Sequence, residues 1–300
     1  MTPPRLTIIL LTFNSQDSLP AVLAACARIA SRILVVDSFS ADKTLAVAQA
    51  AGCETVQHPF ENYAAQRNWA QEHAGLAADD WVLHLDADEV MSDELCKSIL
   101  AAIAAPTADG YLMKRLLYFL GQPIRYGLIN PNWHLRLYRA GKGRCEDRLY
   151  DQHFVLTGES AKLTGLMHDL QLVSVERWTT GHNRWSTAEA TEILSHSTSP
   201  TGATLDASLT GDLRMRKRWM KNNVYYQLPM FLRALMLFSY SYVVRLGFLD
   251  GRVGLVFHVL HSFWFRFIID AKILEQQLQA RATQGAPPAV SVSSPSKAPT

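Results

Sequence analysis

Short apolar runs alternate with longer amphipathic stretches through the first third of the chain. The runs read LTIILL, RILVVD, ETVQ and WVLHLD, and the stretches between them read SLPAVLAACARIA, ADKTLAVAQAAG and AAQRNWAQEHAGL. The runs have the length and composition of buried strands, whereas the stretches carry apolar residues at helical spacing. Because buried strands that alternate with helices form parallel sheets covered on both faces, the pattern predicts an α/β fold with a mostly parallel central sheet.

Polar side chains stand where these predicted strands end. Thr12 and Asn14 follow the first run, Asp37 ends the second, and Asp86 and Asp88 lie at the end of the fourth. In open sheets of this class, ligands bind in the crevice beyond the carboxyl ends of the strands. The sequence therefore predicts a binding site formed by these residues.

The segment DADE at the end of the fourth run brings three carboxylates together. In an extended segment, residues two apart point to the same side, so Asp86 and Asp88 direct their oxygens at one point. Mg²⁺ and Mn²⁺ prefer oxygen ligands and are typically held by one or two carboxylates together with substrate phosphates. The segment therefore predicts a Mg²⁺ or Mn²⁺ site that binds a nucleoside diphosphate. The alternative is a solvated turn that caps the next helix, SDELCKSILAAIAA, because acidic residues favour helix N-termini.

Three enzyme classes built on similar sheets lack their motifs in this chain. No G-x-G-x-x-G follows the first run and no G-x-x-x-x-G-K-[ST] occurs, which argues against dinucleotide oxidoreductases and P-loop NTPases. Phosphatases with an aspartyl nucleophile can have a strand that ends in D-x-D. DADEV, however, lacks the small and hydroxyl residues expected to follow in such a phosphatase.

Composition limits the size and partners of the protein. With 300 residues, of which 48% are hydrophobic, the chain can bury one large domain and carry an appendage. The net charge of +2 gives no general attraction to nucleic acid, so no nucleic-acid partner is expected. The N-terminal apolar run is too short to span a bilayer, and no signal-peptide cleavage site follows it. Widely spaced cysteines predict reduced thiols in a cytosolic compartment; they are Cys26, Cys53, Cys96 and Cys145.

A cluster of cations precedes an aromatic-rich apolar region in the last third of the chain. After a predicted linker at residues 201–212, the basic cluster comprises Arg214, Arg216, Lys217, Arg218 and Lys221. A cation contributes about 1 kcal/mol at an anionic leaflet, so residues 213–278 are predicted to form amphipathic helices that attach to a membrane surface.

Charged residues also interrupt the apolar region itself. They are Arg233, Arg245, Asp250, Arg252 and Arg266. They break each apolar stretch before about 20 residues accumulate, which disfavours a membrane span. The alternative to membrane attachment is packing on the N-terminal domain or in a dimer interface, because protein covers an apolar helix face as well as lipid does.

The order and spacing of four segments, TIILLTFN, ILVVDSFSADKT, AAQRNWA and DWVLHLDADE, resemble the family 2 glycosyltransferases of the GT-A fold. More narrowly, they resemble the bacterial subgroup that includes the lipopolysaccharide core β-1,4-glucosyltransferases. The resemblance extends to about Glu275 and implies a GT-A domain over residues 1–200. Residues 279–300, rich in Ala, Ser and Pro, are predicted to be a disordered tail.

The resemblance implies nucleotide-binding roles for the first two strand ends. Thr12 and Asn14 would line the nucleotide pocket, and Asp37 would bind the uracil or ribose edge. The same residues also have ordinary explanations: Thr12 as a strand residue, Asn14 as a turn former and Asp37 as the start of a helix cap.

The resemblance also implies roles around the diphosphate. Arg67 and Asn68 would lie near it, Asp86 would face the ribose and the metal, and Asp88 would be the principal metal ligand. A surface charge on a helix is the alternative for Arg67.

An inverting transfer also needs a group that takes the proton of the acceptor hydroxyl. The candidates lie in GRCEDRLYDQHF and are Glu146, Asp147 and Asp151. The related subgroup has an acidic residue directly after an aromatic residue or His, which corresponds to Tyr150 and Asp151. His-Glu is common there and Tyr-Asp stands here, so the shorter side chain leaves Glu146 and Asp147 open beside the favoured Asp151.

Two further segments have both a functional and a structural interpretation. His168 resembles a position near the metal, although a lone His is more often a hydrogen-bonded structural residue. Arg184 and Trp185 resemble a segment that closes over the donor, with phosphate and sugar contacts. A helix start capped by Ser186 explains the same residues.

The sequence thus predicts a metal-dependent, inverting glycosyltransferase that moves a hexose, with glucose from UDP-glucose favoured. The acceptor would be a lipopolysaccharide-core or other lipid-linked glycan, and the protein would be peripheral at the cytoplasmic face of the inner membrane. The alternative is a catalytically silent GT-A domain that serves as a membrane-bound binding subunit in envelope glycan assembly.

Overall fold

The computed structural model describes residues 5–148, 151–171, 173–195, 205 and 207–285. Its strands are β1 (Leu6–Thr12), β2 (Arg32–Asp37), β3 (Glu54–Gln57), β4 (Trp81–Asp86), β5 (Glu89–Met91), β6 (Gly110–Phe119), β7 (Gln122–Pro123), β8 (Asn132–Arg139), β9 (Gly143–Cys145), β10 (Phe154–Leu156) and β11 (Ser160–Leu170). Its helices are α1 (Leu19–Cys26), α2 (Thr44–Ala50), α3 (Tyr63–His73), α4 (Asp93–Ala104), α5 (Val175–Ser195), α6 (Leu213–Asn223), α7 (Leu232–Ser239), α8 (Gly251–His258) and α9 (Phe265–Gly285).

A mixed sheet with the strand order β3-β2-β1-β4-β8-β6-β11-β5 forms the centre of the molecule. The strands β3, β2, β1 and β4 are mutually parallel. The strand β8 runs antiparallel to both β4 and β6, and β11 is parallel to β6. The short β7 pairs with β6, while β9 and β10 form a separate antiparallel pair. The predicted α/β architecture of the GT-A fold is confirmed.

Apolar cores cover both faces of the parallel half of the sheet. Leu6, Ile8 and Leu10 of β1 pack on one face with residues of α1 and α4. Ile9 packs on the opposite face with Ala64 of α3. A strand buried on both faces needs apolar residues at successive positions, which explains the uninterrupted apolar run of β1.

The C-terminal helices pack with one face on the rest of the molecule. Phe265 and Ile269 of α9 pack against Ala190 of α5. Phe257 of α8 packs against Phe119 of β6. Packing on the N-terminal domain, the alternative to membrane attachment, accounts for this face of the helices.

A second face of these helices is exposed and apolar. We call it the α7–α8 face; it comprises Leu232, Leu235, Met236, Tyr240, Val243, Val244, Leu246, Phe248, Leu249, Leu255 and Val256. In the described part of the chain, one continuous helical stretch, Gly247–Ala282, which includes α8 and most of α9, is long and apolar enough to cross a bilayer, and 39% of its most apolar part is buried in protein. Asp250, Arg252 and Arg266 lie within this stretch and interrupt its apolar sequence, as the sequence indicated.

Three predictions of local structure are corrected. The helix α9 continues to Gly285, so residues 279–285 are helical and not a disordered tail. Ser186 lies inside the continuous helix α5 and does not cap a helix start. The cap of α4 is Ser92, whose side chain accepts from Leu95 N at 3.2 Å, so the DADE segment is not a helix cap. Most of the predicted linker, and the tail beyond residue 285, lie outside the described residues.

Candidate functional site

The sheet register brings the predicted strand-end residues to one edge. Thr12 of β1 lies opposite Asp37 of β2 in the parallel ladder. Leu11 of β1 lies opposite Asp86 of β4 on the other side. The carboxyl ends of three adjacent parallel strands therefore meet at this edge, as the sequence predicted.

Asp37 is fully buried and its carboxylate is occupied by neighbouring donors. Its oxygens accept hydrogen bonds from Thr12 Oγ1 at 3.0 Å, Ser40 N at 2.9 Å and Gln57 Nε2 at 3.1 Å. These bonds join β1, β2, the turn after β2 and β3. Asp37 thus links β1, β2 and β3 at the carboxyl edge of the sheet, and Thr12 is part of the same hydrogen-bond network.

Asn14 joins the loops that follow β1 and β2. Its backbone adopts a left-handed conformation with φ of 49°, which Asn tolerates better than most residues. Its Oδ1 accepts from Ala41 N at 2.9 Å, and its own N donates to Ser40 Oγ at 2.8 Å. Beside these loops, the rings of Phe13 and Phe39 are each 56% exposed. The sequence analysis missed these two rings, although Phe13 directly follows one predicted strand end and Phe39 lies two residues after another.

Two arginines bind Asp86. Arg67 Nη2 donates to Asp86 Oδ1 at 2.9 Å, and Arg136 Nη2 donates to Oδ2 at 2.9 Å. Burial would raise the pKa of Asp86, but the two guanidinium groups outweigh it and hold the pKa well below its usual range. Arg67 is buried, so the alternative that it is only a surface charge is wrong. Both carboxylate oxygens of Asp86 already accept a hydrogen bond from an arginine. Fewer of their lone pairs are therefore available for the predicted role of Asp86 as a metal ligand.

Asn68 fixes the loop before the predicted base and does not point to the sheet edge. Its Nδ2 donates to Cys145 O at 3.0 Å, and its Oδ1 accepts from Cys145 N at 3.0 Å. Both ends of the amide are thus committed to the backbone of β9. The predicted contact between Asn68 and the diphosphate is therefore corrected to a structural role.

A buried network of ion pairs lies next to Asp86. Glu89 Oε1 accepts from Arg136 at 2.7 Å, and Glu89 Oε2 accepts from the backbone N of Asp86 at 3.0 Å. Arg115 lies 3.7 Å from Glu89 and 3.4 Å from Asp169. Burial, together with the charges of Glu89 and Asp86, raises the pKa of Asp169 to about 6. The third carboxylate of the DADE segment, Glu89, therefore belongs to the core and not to the binding edge.

Asp88 differs from its neighbours because its carboxylate has no hydrogen-bond or ion-pair donor in the part of the chain that the structure describes. It lies in the turn between β4 and β5, and its backbone O accepts from Leu170 N at 2.9 Å. Burial, and then the negative charges of Asp169, Asp86 and Glu89, raise its pKa well above the usual range. A bound cation would offset the repulsion from these negative neighbours and would take the place of the missing hydrogen-bond donor.

The donor set fits a cation that is shared with a substrate. Within residues 5–148 and the later described ranges, no group of three or more His, Cys, Asp or Glu side chains is arranged to hold a metal ion. A Mg²⁺ or Mn²⁺ that keeps waters and substrate phosphates needs only one or two carboxylates. Asp88 meets that requirement, with Asp86 beside it.

His168 lies on β11 next to this turn. It is paired with Val90 of β5 in the antiparallel ladder, and its Nδ1 lies 3.2 Å from the hydroxyl oxygen of Tyr118. Burial lowers its pKa, so the ring is neutral at pH 7. The structural role is thus observed, and a contact with phosphate or metal stays a prediction.

Asp151, the favoured base, lies in a loop with left-handed backbone geometry and φ of 56°. Its Oδ2 accepts from Lys221 Nζ at 3.1 Å, and its backbone O accepts from Arg218 at 3.0 Å. Burial would raise the pKa of Asp151, but Lys221, His153 and Arg218 hold it well below its usual range. The carboxylate is therefore ionised at neutral pH. Tyr150 lies outside the described residues.

The two alternative bases have different environments. Glu146 is buried in a two-pronged ion pair with Arg218, at 2.6 Å and 2.5 Å, and also accepts from His153 N and Leu205 N. Its oxygens are therefore committed, and Glu146 is structural. Asp147 is exposed.

A cavity of about 260 Å³ lies beside Asp151. Its lining is charged and comes from the loop around Asp151 and from α5 and α6, and includes Arg148, Glu189, Glu192, Lys221 and Tyr226. A second cavity, of about 220 Å³, lies between Trp133, Lys162 and the start of α6.

His134 on β8 is affected by charged groups near Asp86 and by a charged group near Asp151. Burial, and then the charges of Arg115, Arg136 and His153, lower the pKa of His134 well below its usual range. Arg115 and Arg136 belong to the Asp86 network, and His153 lies 3.7 Å from Asp151. Charges from both groups of polar residues therefore act on His134.

The basic cluster does not form the predicted membrane patch. Arg214 is buried and donates to Asp212 and to Phe154 O, Arg218 pairs with Glu146, and Lys221 pairs with Asp151 and Glu189. A buried charge is costly without an opposite charge beside it. Here the carboxylates come from the segment that contains Glu146 and Asp151, which we call the base loop, from Glu189 of α5 and from Asp212 at the start of α6. Of the five cations, only Arg216 and Lys217 are exposed within the described structure.

The sequence analysis included Arg67 and the DADE carboxylate Glu89 but missed Arg136, the second cation that binds Asp86. Arg136 could have been found, because this buried charge stands between two leucines in a segment with the alternation of a strand. Arg115 and Asp169 carry no such signal, because only the pairing of β6 with β11 brings them to this network. The four cysteines are free thiols in the structure.

Comparison with known families and proteins gives a consistent picture. A family model described as Glycosyl transferase family 2 matches residues 7–161, just over half of the chain. A glycosyltransferase of Rickettsia bellii (strain RML369-C) is 32% identical over 108 residues, which are 36% of each chain. The glycosyltransferase RT0209 of Rickettsia typhi is 23% identical over 202 residues, which are 63% of this chain and 68% of the relative. The match thus spans about a third of the length of the first of these relatives.

Solved structures give weaker similarities. The structure of S. aureus TarS 1-349 aligns over 92% of both chains with a TM-score of 0.41 and 14% identity. Glucosyl-3-phosphoglycerate synthase of Mycobacterium tuberculosis, in complex with Mn²⁺, UDP and glucosyl-3-phosphoglycerate, aligns over 38% of this chain and 44% of its own, with a TM-score of 0.32 and 16% identity.

Proposed function

The chain belongs to glycosyltransferase family 2, and we propose that it transfers a hexose, with inversion at the anomeric carbon, from a nucleoside diphosphate sugar to a lipid-linked glycan. The donor that we propose is UDP-glucose and the acceptor class is the lipopolysaccharide core, because the strand-end segments resemble that subgroup. The site of action that we propose is the cytoplasmic face of the inner membrane.

One observation carries this proposal. At the carboxyl edge of three parallel strands, Asp88 presents a carboxylate for which the described residues supply no donor, beside Asp86, which two arginines hold. Such an edge is the usual ligand site of an open α/β sheet, and an oxygen donor among negative charges suits a cation that carries a diphosphate.

The residues at the strand edge and those in the Asp151 loop would have different roles in the transfer. Asp88 would hold Mg²⁺ or Mn²⁺, which when bound neutralises the charge of the leaving diphosphate. Arg67 and Arg136 keep Asp86 ionised and oriented at the same edge. Asp151 accepts the proton of the acceptor hydroxyl as that oxygen bonds to the anomeric carbon and the bond to the diphosphate oxygen breaks.

The α7–α8 face supports the membrane part of the proposal. Its apolar side chains are exposed, and the exposed cations Arg245 and Arg252 lie among them in the sequence. Other charges of the same region have partners within the protein: the buried Arg233 pairs with Asp270, and the partly exposed Asp250 accepts from the backbone N of Arg125 at 3.0 Å. Exposed apolar side chains together with exposed cations suit an anionic lipid leaflet.

A screen of nucleotide sugars tests the transferase function. UDP, GDP and dTDP sugars are titrated into the protein by calorimetry with Mn²⁺ and again with EDTA, and hydrolysis is followed as release of the free nucleotide. We expect Mn²⁺-dependent binding of UDP-glucose and slow release of UDP. The absence of binding to every nucleotide sugar in Mn²⁺ contradicts the proposal.

A catalytically silent binding subunit is the second candidate. Lys221 donates a hydrogen bond to the Asp151 carboxylate and lowers its pKa, which makes Asp151 a weaker base. The two candidates differ in one measurement. A silent domain binds the nucleotide sugar in the same screen but releases no UDP above the rate of the Asp151→Asn variant.

A further inference from the structure

Lys221 connects the proposed base to the body of the protein. Its Nζ lies 3.1 Å from Asp151 Oδ2 and 2.8 Å from Glu189 Oε1. The lysine belongs to α6, Glu189 belongs to α5, and Asp151 lies in a loop. One ammonium group thus joins a carboxylate in a loop to a carboxylate on a long helix.

Glu189 is a fixed anchor for this bridge. Its side chain is 4% exposed, and it also accepts from the hydroxyl of Tyr226 at 2.8 Å and pairs with Arg266 of α9 at 3.2 Å. Donors from three elements therefore hold this one carboxylate. A buried ion that is fully paired is expensive to move, because any displacement leaves a charge without a partner.

Asp151 has a side chain that is only partly buried. Its φ of 56° is a conformation that residues other than Gly, Asn and Asp seldom adopt, and the carboxylate is 37% exposed beside the charged cavity. A second contact from α6, Arg218 to the backbone O of Asp151, holds the main chain. The direct side-chain hydrogen bond comes from Lys221.

We propose that Lys221 is a positioning residue, which fixes the Asp151 carboxylate at the mouth of the cavity where the acceptor hydroxyl would bind. The kinetic consequence rests on the proposed function, in which Asp151 is the base. The geometric consequence, that Lys221 determines the environment of Asp151, does not depend on it.

Removal of the Lys221 charge changes the balance of charges around Asp151 in a known direction. The groups that face Asp151 are Lys217, Arg218 and Lys221 from α6, His153 from its own loop and Glu189 from α5. Burial and the negative charge of Glu189 both raise the pKa of Asp151, and without the Lys221 ammonium group fewer cations oppose them. The pKa of Asp151 then rises, so its carboxylate takes up a proton at a higher pH than in the wild type.

A titration tests the geometric part with no need for activity. The protein is labelled with ¹³C at the aspartate carboxyl carbons, the Asp151 signal is identified by its loss in Asp151→Asn, and its chemical shift is followed against pH. We expect the midpoint in Lys221→Met to lie about one pH unit or more above the wild type, because a cation within 4–6 Å lowers a carboxyl pKa by about 1–3 units. Lys221→Arg should remain near the wild type.

The matched control is Arg177→Met, which removes an exposed cation from α5 and should leave the Asp151 titration unchanged. If Lys221→Met does not fold, Lys221→Gln keeps a donor without the charge and replaces it in the same titration. An unchanged midpoint in the folded variant overturns the proposal.

Kinetics test the functional part. With UDP-glucose and Mn²⁺, we expect kcat for UDP release at pH 7 to fall about tenfold or more in Lys221→Met, with KM for UDP-glucose unchanged, and to be restored in Lys221→Arg. The acidic limb of the pH profile should move to higher pH, in step with the titration. A wild type that binds no nucleotide sugar overturns the proposed function, while equal kcat and equal pH profiles in wild type and Lys221→Met overturn the role of Lys221.

Discussion

Asp86 and Asp88 are two residues apart and have opposite electrostatic environments. Arg67 and Arg136 hold the pKa of Asp86 down, whereas burial and three acidic neighbours raise the pKa of Asp88. Environments that separate two carboxylates in this way give them different roles. Asp86 is held in place by two arginines. Asp88 has acidic neighbours and no hydrogen-bond donor among the described residues, so a bound cation would stabilise its carboxylate.

The first prediction concerns Asp88. Asp88→Asn should abolish Mn²⁺-dependent binding of UDP-glucose and lower UDP release by about 10²-fold or more, because the donor diphosphate loses its cation. The unfolding temperature in EDTA should not fall, since one of several mutually repelling carboxylates is removed. Calorimetric titration and thermal unfolding measure the two effects.

The control for that experiment is Asp79→Asn, which changes an exposed carboxylate in the loop before β4. It should bind and turn over as the wild type does. Undiminished Mn²⁺-dependent binding in Asp88→Asn removes the metal site from the mechanism.

The second prediction concerns the base. Asp151→Asn should lower kcat for UDP release by about 10²-fold or more and leave KM for UDP-glucose nearly unchanged, because the lost group acts on the attacking hydroxyl and not on the donor. Steady-state kinetics of Asp151→Asn and Asp147→Asn provide the comparison. The same loss in Asp147→Asn, with Asp151→Asn active, would place the base at Asp147.

The third prediction concerns Glu146, which sequence reasoning left open as a base. Glu146→Gln leaves the buried Arg218 charge without its partner, so the free energy of unfolding should fall by about 3–5 kcal/mol. The Arg218 ion pair holds the pKa of Glu146 below its usual range despite burial. A group with a depressed pKa stabilises the fold above its unfolded pKa of about 4.3, and this stabilisation is lost as the pH falls further.

Urea unfolding of wild type and Glu146→Gln at several pH values checks both parts. The difference between the two proteins should be largest at neutral pH and shrink toward about pH 3, below the unfolded pKa of a glutamate. A variant of wild-type stability with low kcat would instead make Glu146 the base.

At the scale of elements, α6 differs most from its prediction. The sequence marked it as a basic helix for a lipid surface, but three of its five cations face the protein and bind carboxylates of α5, of the base loop and of the helix cap. A variant that neutralises all five cations would therefore damage the site at Asp151 together with any lipid contact. Such a variant cannot separate membrane attachment from catalysis.

The fourth prediction tests the contact between α8 and the N-terminal domain. A Cβ at Gly127 would lie 2.3 Å from Cε1 of His258 on α8, and Gly127 has a φ of 85°. Gly127→Ala should therefore lower the free energy of unfolding by about 2–4 kcal/mol, from overpacking together with backbone strain. Urea unfolding measures the change.

Gly52→Ala is the matched control, because Gly52 also has a positive φ, of 73°, but nothing lies within 4 Å of an added Cβ. Only the backbone strain, about 1–2 kcal/mol, should appear there. Equal losses in the two variants would mean that α8 does not pack on this loop in solution.

At the scale of the whole molecule, the C-terminal helices have two faces with different partners. One face completes the core with α5 and β6, and the α7–α8 face is left apolar and exposed. Large contiguous apolar patches on soluble proteins usually mark an interaction surface. The structure thus moves the proposed membrane contact from the basic cluster of α6 to the α7–α8 face.

The fifth prediction tests that contact. A double variant, Val244→Asp with Leu249→Asp, places two acidic groups on side chains that are 62% and 52% exposed. Flotation with anionic vesicles should show that wild type binds and that the double variant binds at least about tenfold more weakly, because charged groups resist transfer to the acyl boundary. UDP release from UDP-glucose should be unchanged in the variant.

Leu100→Asp provides the control, because Leu100 is 41% exposed on α4, away from the C-terminal helices. Its vesicle binding should equal that of the wild type. Wild-type protein that stays unbound on anionic vesicles at low salt contradicts membrane attachment. Concentration-dependent dimerisation that the double variant abolishes would identify a second copy of the chain as the partner.

The sequence by itself determined the parallel half of the sheet and the residues at its edge. Apolar runs buried on both faces leave few arrangements for the strands, and the carboxyl ends of parallel neighbours must meet. For that reason the strand pattern alone was enough to place Thr12, Asp37 and Asp86 together.

Only the tertiary structure decided how each charge is used. Asn68 is committed to Cys145, Glu146 to Arg218, and Lys221 to Asp151, and each pair is 70 or more residues apart in the chain. Local sequence reports whether a residue is charged, but the cost of burying that charge depends on a partner that only the fold brings within hydrogen-bond distance. The pattern of apolar and polar residues therefore located the strand edge, and long-range pairing determined which of its carboxylates has no donor among the described residues.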